Sequence, residues 1–402
     1  MLIYVPNITP RIFYTFRVIF ERILNCSVEF TANIDDFSAS NEPKMAYSPN
    51  KIDTPIWMEA TPLLFEENIV KQNITPKKLE SYLLFFPTEN VFFSVDIPAI
   101  VFFLITRYEE YYIDNELDKH GRFQCQNSVA YQLGWHRKLM AHRLALSLAQ
   151  VIKMHYPKFA YKRPKLEEYF THDVDIAYQY KGKPWWRWCS AVAKALLQLR
   201  FKHAYNYLKT ALGKEVKDPF ANFEKEKTQN KPIYFILTSD FTKFDKNISY
   251  KTKTFQDLVH HLATFSEIGI HPSYYSSEKT ALIEKETKRL EHILQLKITK
   301  SRQHFLRFRF PDTFQTLIKA GITDDYSLGW TNEAGFRASI AVPYPFFDLE
   351  KNEETDLLLH PLALMDTVFN KNEEQKVLHE LREEVKKMGG DFIILTHNSN
   401  VK

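Results

Sequence analysis

Cysteine is scarce in this 402-residue chain. Cys26, Cys125 and Cys189 stand far apart and without metal-ligand spacing. So sparse and odd a set argues against a disulfide framework. Membrane-spanning runs are missing as well, since no window approaches ~18 uncharged apolar residues. The segment Met1-Leu2-Ile3-Tyr4-Val5-Pro6 is stopped by proline and lacks a basic region. No secretory signal is visible, and a cytoplasmic location is expected. No long basic run with a reader motif occurs, and the net charge is only +4. A nucleic-acid partner is therefore not expected. Nothing in the sequence sets the oligomeric state.

What is present belongs to a globular protein: 45% hydrophobic and 25% charged residues. The aromatic share of 15% suits a ring-rich core and also suits rings that stack on sugars. The length is too great for one ordinary core and predicts two domains, 1–160 and 166–402, joined at Arg163-Pro164-Lys165. The first domain reads as smaller and mixed α/β. Its apolar run from Pro98 to Ile105 predicts a buried helix with proline in its first turn, and residues 139–154 predict another. The second domain alternates strand and helix, the pattern of a parallel α/β barrel. Residues 185–223 read as a mostly helical insertion there. Its Lys183-Pro184-Trp185-Trp186-Arg187-Trp188 cluster is expected to pack on the barrel or line the cleft, with a membrane surface as the alternative. Residues 255–265 and 278–296 predict barrel helices, and a last one is expected from Asn372 to Met388, ended by Gly389-Gly390.

Phe170-Thr171-His172-Asp173-Val174-Asp175 is the richest motif. Residues i and i+2 of a strand share a face, so Asp173 and Asp175 project together. Their repulsion is relieved by a divalent cation that one acid binds while the other stays free as a base. An acidic surface turn is the plainer alternative. Three later segments end short apolar runs in histidine: Ile268-Gly269-Ile270-His271, Ile298-Thr299-Lys300-Ser301-Arg302-Gln303-His304 and Phe392-Ile393-Ile394-Leu395-Thr396-His397. Each histidine alone also suits a structural role. Repeated at successive strand ends, they match the layout of a (β/α) barrel site.

The order of these motifs resembles the polysaccharide deacetylases of the NodB-homology type, carbohydrate esterase family 4. Thr171, Asp173 and Asp175 are similar to that family's first motif. Gly269 and His271 are similar to its second, Arg302-Gln303-His304-Phe305 to its third, and Leu395 with His397 to its last. The segments Ile233-Tyr234-Phe235-Ile236-Leu237 and Gly321-Ile322-Thr323-Asp324-Asp325-Tyr326-Ser327-Leu328 also resemble family segments. The likeness spans residues 166–402, and the region before it resembles an uncharacterised domain that precedes some deacetylases. Two positions depart. Tyr275 stands where the family carries a second histidine, and His304 stands where it carries proline. The two changes are expected to be linked, with His304 supplying the lost ligand, although a core role for His304 is the alternative.

The resemblance implies a deformed (β/α) barrel of the NodB-homology type and hydrolysis of N-acetyl or O-acetyl groups on a sugar or polysaccharide. It implies a divalent metal, expected to be zinc, on Asp175, His271 and His304. Asp173 would be the base, Arg302 would orient it, and His397 would protonate the leaving amine. The backbone N–H of Phe305 would face the oxyanion. Tyr274, Arg309, Trp330, Arg337 and Asp366 are candidate substrate contacts, and each reads equally as core or solvated surface. A non-catalytic glycan- or partner-binding barrel and an amidohydrolase for small non-sugar amides remain alternatives.

Overall fold

Short parallel strands organise both ends of this chain. The computed structural model describes residues 1–79, 81–89, 93–112, 116–221, 223, 230–368 and 374–399. Contacts divide it into two units. Unit 1 holds Met1–Glu167, Phe308–Phe314 and Asp324–Ile393, and unit 2 holds Glu168–Arg307, Gln315–Thr323 and Ile394–Lys402. The first change of unit falls after Glu167, and residues 308–314 and 324–393 also belong to unit 1.

In unit 1, β1 (Leu2–Tyr4), β2 (Glu29–Thr31), β3 (Lys44–Ser48) and β4 (Trp57–Glu59) form a sheet in the order β2-β1-β3-β4, all parallel. Helices α1 (Pro10–Arg17), α2 (Ile97–Ile105) and α3 (Met140–His155) belong to the same unit. Every residue of α2 is buried. Its N-cap Asp96 accepts from Ala99 N at 3.0 Å, and Pro98 occupies the first turn, where no N–H is needed.

Unit 2 carries β5 (Leu166–Val174, from Glu168 on), helices α4 (Trp185–Leu197) and α5 (Phe201–Ala211), and then β6 (Ile233–Ile236). Helix α6 (Lys253–Ala263), β7 (Glu267–Ile270), α7 (Ala281–Leu294) and β8 (Lys300–Ser301) follow. The four strands pair in parallel in the order β8-β7-β6-β5. β6 is buried along its whole length, as a continuous apolar run in a parallel sheet should be. α6 buries Phe255, Leu258, Val259 and Leu262, the spacing of a single helix face. Gly269 is required in β7, because a Cβ there would lie 2.6 Å from the Phe235 ring. These pairings show a parallel α/β sheet. They do not by themselves close it into a barrel.

The last segments are β9 (Asp324–Asp325), β10 (Tyr344–Asp348) and β11 (Glu353–Leu359) in unit 1, with β11 parallel to β9 and antiparallel to β10. Helix α8 is described from Glu374 to Met388, and its expected cap Asn372 lies outside the described residues. β12 (Gly390–His397) ends the fold, with Ile394 onward in unit 2.

Unit 1 also absorbs two residues expected in a cleft. Arg337 and Trp330 are each 3% exposed. Arg337 donates from Nε to Glu110 at 2.9 Å, and Arg107 reaches the same carboxylate at 2.7 Å. The Trp330 ring has the Arg107 guanidinium 5.3 Å from its centroid and that of Arg337 at 4.8 Å. Both side chains are therefore core elements, and the reading of them as substrate contacts is corrected. Glu110→Ala would take the carboxylate from buried Arg337 and leave Arg107 with Glu109 alone, and stability should fall by about 3–5 kcal/mol in denaturant titrations. A loss below ~1 kcal/mol would show that Glu109 carries the network alone.

Candidate metal and catalytic site

The site begins with the alternation of β5. His172 turns to one face, stacks on Tyr234 with ring centroids 4.5 Å apart, and shares a 2.7 Å hydrogen bond with Thr396 Oγ1. Thr171 and Asp173 turn to the other face. The Thr171 hydroxyl donates to the Ile394 carbonyl at 2.7 Å and accepts from Arg302 at 2.7 Å. Arg302 also donates from Nη1 to Asp173 Oδ1 at 3.0 Å. Its fully buried guanidinium lies 4.3 Å from the centroid of Phe235, the ring packed against Gly269. The threonine and glycine of the motifs thus hold the arginine that holds the acid.

Three ligand-type side chains converge beside this pair. Atoms of Asp175, His271 and His304 all lie within 4.8 Å of one another and can hold a metal ion. His271 Nδ1 is 2.6 Å from the Arg302 carbonyl oxygen, which can only accept, so Nδ1 carries the proton. Nε2 faces Asp175 Oδ1 at 3.2 Å. His304 repeats the arrangement, with Nδ1 2.9 Å from Asp245 Oδ1 and Nε2 3.6 Å from Asp175 Oδ2. Asp245 is itself fixed by Tyr274 N at 2.9 Å and Thr242 Oγ1 at 2.6 Å. Asp175 Oδ1 and His271 Nε2 are buried without a hydrogen-bond partner. Buried polar atoms seldom stay unsatisfied, and one carboxylate with two imidazoles is a zinc-type donor set. The residues fit a divalent cation.

Electrostatics point the same way. Burial alone would lower the pKa of His304, but Asp175 and Asp245 push it up to about 10. Burial would raise Asp175, but His304, His271 and His397 hold it well below the usual carboxylate range. Such a pocket retains positive charge, as a proton or as a cation in its place. Asp173 Oδ2 stands 3.7 Å from His271 Nε2, and His397 Nε2 stands 3.9 Å from Asp175 Oδ2.

Unit 2 thus gathers Asp173, Asp175, His271, Arg302, His304 and His397. Tyr274 belongs to the same unit but is buried, stacked on Phe244 at 3.8 Å, and serves the site through its backbone N–H. Phe305 has φ +64, and its ring meets that of His304 edge-on at 4.7 Å. Arg309 and Asp366 belong to unit 1, where Arg309 is exposed and Asp366 half-buried. Asp245 had escaped the sequence reading. Its one signal was its position in the loop after β6, at the same end of the sheet as the motifs.

Residues 1–157 match a family model described as a family of unknown function, DUF7033. No curated protein matches the chain. Among solved structures, a Mycobacterium smegmatis protein assigned as a polysaccharide deacetylase is 15% identical, with 59% of this chain and 78% of that chain covered and a TM-score of 0.34. The polysaccharide deacetylase Bc1974 from Bacillus cereus is 12% identical, with 59% and 80% covered and a TM-score of 0.25. At such scores the functional reading has to come from the site itself.

Asp245→Asn should weaken zinc binding about 10–100-fold in calorimetry, since the carboxylate orients His304 and raises its basicity. Unchanged affinity would remove Asp245 from the site. A pH dependence follows as well. Before a cation binds, His304 keeps its proton until the pH nears about 10. A cation must displace that proton, so apparent zinc affinity should rise with pH by about tenfold per unit below that value. A flat profile would show that His304 is not a ligand.

Proposed function

We propose that this chain is a metal-dependent hydrolase that removes N-acetyl or O-acetyl groups from a sugar or polysaccharide. In this reading residues 166–402 form a deformed (β/α) barrel and zinc is the ion. One observation carries the proposal: a carboxylate held by arginine, Asp173, stands beside a separate Asp175–His271–His304 ligand set. Two acids one residue apart with different partners suit two different tasks. The order of the motifs along the chain, which resembles the deacetylases, favours an acetylated sugar over a small amide.

A zinc ion on Asp175, His271 and His304 would polarise the acyl carbonyl and make a water more acidic. Asp173 would take the proton from that water. Arg302, at 3.0 Å, aims its carboxylate. The backbone N–H of Phe305 would face the developing oxyanion. His397, half-buried at the end of β12, would return a proton to the leaving amine.

Turnover on acetylated hexosamine oligosaccharides, read together with elemental analysis, tests the division of roles. Asp173→Asn should lower the rate about 10²–10⁴-fold with zinc retained, whereas Asp175→Asn should lose the zinc. Equal loss of zinc in both variants would contradict the assignment. Wild-type protein that holds zinc but turns over neither sugar amides nor sugar esters would mark a binding protein instead. His397→Ala should cost about 10²–10⁴-fold on an amide and much less on the matching ester, whose leaving group needs less protonation. Equal losses on both substrates would assign His397 a structural or oxyanion-binding role.

A further inference from the structure

The helical insertion between β5 and β6 presents apolar side chains to solvent rather than to a core. Leu197 is 86% exposed, and Trp185, Leu199 and Leu212 are each 74% exposed. On α5 the exposed Phe201, Tyr205, Leu208 and Leu212 follow i, i+4, i+7, i+11, one continuous stripe. An adjoining face of α5 buries Ala204 and Tyr207. On α4, Trp185, Cys189 and Leu196 repeat the spacing on the outside. Trp186 meets the exposed Phe241 edge-on at 5.8 Å. The hairpin is also anchored: Arg187 donates to the Asn247 carbonyl at 2.9 Å, and Trp188 Nε1 to the Tyr180 carbonyl at 2.8 Å. Leu199 joins the two helices at φ +54, a conformation costly for leucine, and there its side chain points outward. Of the Lys183–Trp188 cluster, Arg187 and Trp188 are tied to the fold as expected of a packed helix, while Trp185 and Trp186 are exposed.

The charge around the stripe names the partner. Residues 181–217 hold nine Lys or Arg and one acid, Glu215. The whole chain has 53 basic and 49 acidic residues, so the remainder is 44 against 48. All the excess positive charge therefore sits on this hairpin. A cavity of about 530 Å³ beside α5 is lined in part by Lys202, His203, Lys209 and Lys217. No helix among the described residues is long and apolar enough to cross a membrane.

We propose that α4 and α5 dock the protein on an anionic lipid bilayer, lying in its interface with the leucine and aromatic stripe inserted. Tryptophan, phenylalanine and leucine beside a lysine-rich face are the composition of an interfacial helix. Each basic residue near an anionic surface raises binding roughly fivefold. The proposal does not depend on the hydrolase reading, because it uses none of the site residues.

Full-length protein should co-sediment with vesicles of phosphatidylcholine mixed with phosphatidylglycerol. It should do so far less with phosphatidylcholine alone, and added salt should weaken the binding. Leu197→Asp with Leu199→Asp should reduce partitioning by about tenfold or more. Lys194→Glu with Arg200→Glu should reduce it by roughly fivefold or more per residue. All four positions are exposed, so circular dichroism spectra and melting temperatures should match wild type. Absence of binding to the anionic vesicles overturns the proposal, as does equal binding by both variants. A concentration-dependent dimer that the leucine pair dissolves, in protein that ignores vesicles, also overturns it and assigns the stripe to a second copy of the chain.

Discussion

Which nitrogen of each imidazole is left free decides what this site can do. His271 gives Nδ1 to a backbone carbonyl and His304 gives Nδ1 to Asp245. Only then do the two Nε2 atoms converge on one carboxylate. Without those acceptors each ring could change tautomer or turn over, and the donor set would be lost. Arg302 ties the two halves together. Its carbonyl fixes His271 while its guanidinium fixes Asp173. A fully buried guanidinium is tolerated there because Asp173, Thr171 and the face of Phe235 surround it.

Much of this could be read before any coordinates. Short apolar runs followed by a polar residue mark strand ends, and β7, β8 and β12 lie where such runs predict them. The one-residue gap between Asp173 and Asp175 is legible from the period of a strand, although β5 ends at Val174 and Asp175 follows it in a bend. Asp245 was not legible. Its bond to His304 spans 59 positions and starts from a loop with no periodic pattern. A tertiary contact of that kind leaves no local trace.

Arg337 and Trp330 read equally as cleft or core residues for a related reason. Arginine and tryptophan after a motif suit a sugar-binding cleft, and by residue type alone they still do. Arg337 is buried because Glu110, 227 positions away, pairs with its guanidinium, and Trp330 packs against Arg107 and Arg337. Thr106, Arg107, Tyr108 and Glu109, which follow α2, are buried, with Arg107 paired to both Glu109 and Glu110. Charged residues enter a core only when their partners are already placed there, and placement is the product of the fold.

The charge balance of the site explains why a divalent ion suits it better than a proton. Asp173, Asp175 and Asp245 face one another across His271 and His304, with Arg302 as the fixed cation. Three carboxylates against one guanidinium leave two negative charges in a buried setting. A proton on His304 answers one of them, which is why that ring holds its proton up to about 10. A divalent cation answers both and accepts the two lone pairs as well. With the cluster then neutral, Asp173 still has Oδ2 directed toward the metal side while Arg302 holds Oδ1. A carboxylate fixed at one oxygen and open at the other can receive a proton without leaving its place, which is the geometric requirement of a general base.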